Sequence, residues 1–177
     1  PDFSTPWVIR KAAIQTLERR QIIYGPNKGI APLRKAISDD LKKKTGVEYD
    51  SENEVIVTVG GSEAIDIALR GLINDGDEVL VTEPCFVCYT PLIELSGGVA
   101  VSVPTRIENN FKLTVDDLKD KITDRTKLLI LPFPNNPTGA VMTKEDLEPI
   151  AELLRDTDII VLTDEIYSEL TYGREHF

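Results

Sequence analysis

Five short runs of aliphatic and β-branched residues, at 55–59, 79–82, 99–103, 128–131 and 159–163, alternate along this chain with segments of helical periodicity. Because these runs are apolar throughout rather than at every second position, as strands they need cover on both faces. A sheet held between two helix layers supplies that cover, and the alternation of strand and helix makes the sheet mainly parallel. Helical spacing is clearest at Ala64, Ile65, Ala68, Leu69 and Leu72. Thr114 with Asp117, and Thr143 with Asp146, have the spacing of capping boxes that open two further helices. The predicted fold is α/β, a three-layer sandwich on a mainly parallel sheet.

The beginning of the chain reads differently. Thr5-Pro6 opens a helix with Ile9, Ala13 and Leu17 on one stripe, and the turn-rich Tyr24-Gly25-Pro26-Asn27-Lys28-Gly29 is a loop. A second helix from about Ala31 places Leu33, Ile37 and Leu41 on one face, with Gly46 as its C-terminal cap. Residues 1–46 hold ten Lys and Arg against four Asp and Glu, whereas residues 47–177 hold ten against twenty-six. That reversal sets the predicted boundary, a helical arm at 1–46 and a larger domain at 47–177. Lys42, Lys43 and Lys44 suit the negative end of a helix dipole, so they are read as a solvated helix end rather than a polyanion site.

Composition narrows the function. A net charge of −10 is the wrong sign for nucleic-acid binding. No apolar run approaches the ~20 residues of a membrane span, and no leader-like segment starts the sequence, so a soluble, cytoplasmic protein without membrane contact is expected. Two cysteines give no disulfide framework, and the single histidine, His176, neither builds a His-based metal site nor serves as a triad base near the chain end. The start at Pro1 without methionine and the abrupt end at His176-Phe177 are read as a piece of a longer protein.

In an open parallel sheet, ligands bind beyond the carboxyl ends of the strands. Thr58-Val59-Gly60-Gly61-Ser62-Glu63-Ala64 reads as strand, glycine turn and helix start, where free N–H groups face an anion; the spacing fits one phosphate group better than a dinucleotide. A plain turn with Ser62 as N-cap is the alternative. Cys85-x-x-Cys88 lacks the partners that redox or metal chemistry needs, and Phe86 between them is either core or a ligand contact. Pro132-Phe133-Pro134-Asn135-Asn136-Pro137-Thr138-Gly139 is more constrained than a mere turn requires. Asp164, ending an apolar run, needs a cation or hydrogen-bond donors to stay ionised, unless it only caps a following helix.

Tyr24-Gly25-Pro26-x-x-Gly29, Gly60-Gly61-Ser62-Glu63-Ala64, Pro84-x-Phe86-x-x-Tyr89, Asn135-Asn136-Pro137-Thr138-Gly139 and Asp164-Glu165-Ile166-Tyr167, in that order, resemble the aspartate aminotransferase family. These are the fold-type I, pyridoxal-phosphate-dependent enzymes of the class I and II aminotransferase group, and Pro1-Asp2-Phe3 resembles the stretch after that family's N-terminal glycine. The resemblance covers essentially the whole chain. It implies an incomplete fold-type I large domain behind a helical arm, with pyridoxal 5'-phosphate as cofactor and amino acids and 2-oxo acids as substrates. Asp164 would pair with the pyridinium nitrogen, Asn136 and Tyr167 would bond the ring's phenolic oxygen, and these three are the candidate catalytic residues. Phe86 would stack on the ring. The amides of Gly61, Ser62 and Glu63, with the Ser62 hydroxyl, would hold the phosphate, and Tyr24 would reach the phosphate of the partner subunit in a homodimer with shared active sites.

The Schiff-base lysine of the family is not matched by any of the eleven lysines, Lys28 and Lys144 included, and neither are the family's phosphate-contacting and carboxylate-binding arginines. The 177 residues are therefore expected to be inactive alone. C–S lyases and aminocyclopropane-carboxylate synthase-like enzymes share most of these motifs. A pyridoxal-phosphate-binding effector domain of a transcriptional regulator is the alternative from another class.

Overall fold

The computed structural model describes residues 3–19 and 24–177; Pro1 and Asp2, part of the opening motif, lie outside the described residues. The chain divides into two compact units, Pro1–Thr58 and Val59–Phe177. Among the described residues no helix is long and apolar enough to cross a membrane.

In the first unit, α1 (Trp7–Glu18) follows Pro6, which stands just ahead of the helix and accepts the Arg10 N–H at 3.2 Å. Its apolar stripe is not buried: Ile9 and Leu17 are exposed. Helix α2 (Ala31–Thr45) ends as expected on Gly46, whose φ of 76° favours glycine. What it buries is polar, however. Leu33 is exposed and Ile37 and Leu41 are half-buried, while Arg34 and Ser38 are buried. Arg34 donates to the carbonyls of Gly29 and Ser51 and forms a two-oxygen pair with Glu52 at 3.2 Å, and Ser38 donates to the Tyr49 carbonyl at 2.5 Å. A guanidinium with all three nitrogens directed at acceptors is cheaper to bury than a bare charge, so hydrogen bonding rather than hydrophobic spacing selects the inward face.

The second unit holds a four-stranded, wholly parallel sheet in the order β2-β1-β3-β4, built from β1 (Glu78–Glu83), β2 (Val99–Pro104), β3 (Thr126–Leu131) and β4 (Ile160–Thr163). Four of the five predicted runs are strands. The fifth, 55–59, is irregular: no described strand pairs with it, Ile56 and Val59 are exposed, and the Val57 N–H donates instead to the Lys28 carbonyl at 3.1 Å, so β-branched composition without a neighbouring ladder does not make a strand.

Helices α3 (Gly61–Leu72) and α4 (Tyr89–Leu95) cover one face of the sheet, and α5 (Val115–Lys119) and α6 (Lys144–Leu154) the other. Val79, Val81, Leu128 and Ile130 point to the first layer with Ile65, Leu69 and Ile93. Leu80 and Leu129 point to the second with Leu118, Ile150 and Leu154. The two-sided core that apolar strands demand is thus present at β1 and β3. The outer strand β4 departs from it: Ile160 and Leu162 are half-buried and Val161 is 42% exposed. Both capping boxes form, with the Thr114 and Thr143 hydroxyls accepting from the Asp117 and Asp146 amides.

Candidate functional site

At the carboxyl ends of β1, β3 and β4 a cavity of about 170 Å³ opens, lined by Gly61, Ser62, Phe86, Asn136, Asp164 and Tyr167 together with Ile65, Tyr89, Pro132, Pro134 and Ile166. Each wall follows from local chemistry. Gly60, at φ 96°, turns the chain into α3 and occupies the cap position, so Ser62 lies in the first turn rather than at the cap. The first-turn amides of Gly61, Ser62 and Glu63 have no partner within a helix, and the dipole adds positive potential at that end. The Glu63 side chain turns back to accept the Val59 N–H and does not line the cavity.

After β1, Phe86 meets Tyr89 edge to face, with centroids 5.8 Å apart and planes at 79°. The two cysteines beside it are unbridged. Ser62 Oγ lies 4.0 Å from Cys88 Sγ, and burial, aided by Glu83, pushes the Cys85 thiol above its usual value.

After β3, the two asparagines divide their work. Asn135 is buried, its Oδ1 accepting from Thr138 N–H at 3.3 Å and Thr138 Oγ1 at 2.9 Å, while its backbone bonds Ala140 and Gly139. With Asn135 committed to the loop, the next side chain, Asn136, reaches the cavity.

After β4, no helix follows Asp164 directly, so it caps a turn instead: Oδ1 accepts the Ile166 N–H at 3.1 Å. Its Oδ2 accepts the Tyr89 hydroxyl at 2.8 Å. Tyr89 is 2% exposed, and burial first, then the Asp164 carboxylate, pushes its phenol far above the usual range. The structure thus brings together Gly61, Ser62, Phe86, Asn136, Asp164 and Tyr167 from segments 75 residues or more apart in places, as between Tyr89 and Asp164. Tyr24 is fully exposed in the first unit. Tyr89 closes the run Pro84-x-Phe86-x-x-Tyr89, yet nothing in that spacing says that its hydroxyl meets Asp164.

The donor set fits pyridoxal phosphate. Free helix amides and a hydroxyl suit a phosphate, a carboxylate already held by two donors suits a pyridinium, an aromatic ring offers a stacking partner, and an amide and a phenol suit an oxyanion. Among the described residues, no lysine or arginine lines this cavity.

Comparison with known proteins agrees with that chemistry. The aminotransferase class I and II family profile matches residues 1–177. A putative aminotransferase of Bacillus subtilis is 46% identical over 175 residues, 99% of this chain and 45% of that protein. An aspartate aminotransferase of Pyrococcus abyssi is 45% identical over 97% of this chain and 44% of its own length. Among solved structures, an aromatic aminotransferase from Pyrococcus horikoshii superposes with a TM-score of 0.95 at 44% identity, covering 100% of this chain and 48% of that one. The Thermus thermophilus aspartate aminotransferase solved with maleate gives 0.95 at 40% identity, covering 100% and 46%. The chain spans a little under half the length of the relatives it matches.

Proposed function

The chain belongs to the class I and II aminotransferases, and from that membership we propose that it carries the cofactor-contacting residues of a pyridoxal-phosphate-dependent amino-acid aminotransferase, which moves an amino group to a 2-oxo acid. The observation that carries this reading is the convergence of Ser62, Phe86, Asn136, Asp164 and Tyr167 on one cavity at the carboxyl ends of parallel strands. Pyridoxal phosphate supplies an aldehyde that takes up an amino group and a ring that accepts electrons. Asp164 keeps a proton on the ring nitrogen, which sustains that electron demand. Asn136 and Tyr167 bond the ring oxygen, Phe86 covers a ring face, and the amides of Gly61, Ser62 and Glu63 with the Ser62 hydroxyl hold the phosphate. The arm at 1–46, a homodimer in which Tyr24 reaches the partner's phosphate, and a cytoplasmic location belong to the same proposal.

The test uses the full-length protein. It should bind pyridoxal phosphate with a visible absorbance change and transfer the amino group of aspartate or an aromatic amino acid to a 2-oxo acid. Asp164→Ala should lower turnover by several orders of magnitude while the phosphate contacts retain some cofactor. Near-normal turnover in that variant would reduce Asp164 to a turn cap, and release of thiol or ammonia without amino transfer would favour a lyase.

A further inference from the structure

Tyr89 carries no role in the reading above, although it is 2% exposed and fills the core between α4 and the sheet. Its ring packs as any aromatic would, but its hydroxyl does something a phenylalanine could not. It donates to Asp164 Oδ2 at 2.8 Å, across 75 residues of sequence. The other carboxylate oxygen, Oδ1, accepts the Ile166 N–H at 3.1 Å. One donor on each oxygen fixes both the position and the twist of the carboxylate, and each oxygen keeps a further lone pair for a ligand in the cavity. Hydrogen bonds to a carboxylate are the stronger class. The same ring meets Phe86 edge to face at 5.8 Å, so one buried side chain braces both a face and an edge of the cavity.

We propose that Tyr89 is a positioning residue for Asp164: its buried phenol holds the carboxylate aimed into the cavity, and so acts on the reaction only through Asp164. This rests on the cofactor reading for its consequence, although the Tyr89–Asp164 pair itself is independent of that reading.

The experiment is a double-mutant cycle in the full-length protein with Tyr89→Phe, which keeps the ring volume, and Asp164→Ala. It is read in three ways: unfolding of the apoprotein, pyridoxal phosphate titration, and kcat against KM. Tyr89→Phe should lower kcat roughly ten- to a hundredfold, the worth of a charge-assisted hydrogen bond, with KM nearly unchanged. In the Asp164→Ala background the same substitution should cost no more cofactor affinity and no more turnover, because the group it acts through is gone. The apoprotein unfolding constants should be non-additive by roughly tenfold. Tyr89→His, which restores a donor near the same place, should recover part of the loss.

Equal losses in both backgrounds would make Tyr89 a packing residue and overturn the proposal, as would wild-type kinetics for Tyr89→Phe. A wild-type protein that binds no pyridoxal phosphate would overturn the cofactor reading instead. The apoprotein cycle would still decide the pair, since additive unfolding effects refute its hold on Asp164 without any cofactor present.

Discussion

Neighbouring residues of one type have opposite duties in the loop after β3. Asn135 is 5% exposed and spends its Oδ1 on two donors of the half-buried Thr138, so Asn135→Ala takes the acceptor from both the Thr138 N–H and its hydroxyl. That should cost about 0.5–1.5 kcal/mol of stability, measured by denaturant unfolding of the apoprotein. Asn136→Ala should leave unfolding nearly unchanged and weaken pyridoxal phosphate binding instead, in the same titration used for Asp164. A reversal of these two effects would exchange their roles. Phe86 allows a similar separation. As a stacking residue it should contribute about 0.5–1.5 kcal/mol to cofactor affinity beyond its buried area. As a core residue its loss would appear in the apoprotein, at about 3–5 kcal/mol. Its half-buried ring, edge-on to Tyr89, favours the first.

At the scale of elements, α6 is the best-anchored helix start. Asp146 accepts from both the N–H and the hydroxyl of Thr143 and is paired with Lys112. Burial alone would raise its carboxyl, but Lys112 and the Thr143 donors outweigh it and hold the group below its usual value. A depressed native value means the contribution is complete above about pH 4, where the unfolded carboxyl is already ionised, and is lost as pH falls through the native value. Asp146→Asn should therefore cost about 0.5–2 kcal/mol at neutral pH. The gap between the two proteins should close in acid, which unfolding curves across that range would show. A gap that stays constant with pH would mean the cap works without its charge.

The capping boxes were legible in the sequence because they are local: three residues of spacing specify the bond. The strands at β1 and β3 were legible because burial on both faces leaves an unbroken apolar run. The run at 55–59 has the same composition but joins no ladder among the described residues, and strand pairing is a property of two segments, which one segment cannot announce. Arg34 was missed for a related reason, since its burial depends on acceptors at Gly29, Ser51 and Glu52 that come together only in the fold. The cavity was legible as a set of motifs at strand ends. Its internal wiring, with Tyr89 on Asp164, was not.

For the whole molecule, the proposed dimer makes each site depend on two chains. If Tyr24 serves the partner's site, mixing Tyr24→Phe chains with Asp164→Ala chains in the full-length protein gives mixed dimers with one doubly impaired and one intact site. Such dimers should recover close to half the wild-type activity, and mass-verified mixed dimers without recovery would put Tyr24 elsewhere. The outer strand β4 carries a different consequence. It ends the sheet, and Val161 on it is 42% exposed. The backbone groups on its outer side offer a template for any other extended segment, including a second β4. Expressed by itself, the 177-residue chain should be sticky: light scattering should rise with concentration and temperature well before unfolding. Val161→Lys, which sets a charge on that strand, should delay the onset, and an unchanged onset would place the association elsewhere than β4.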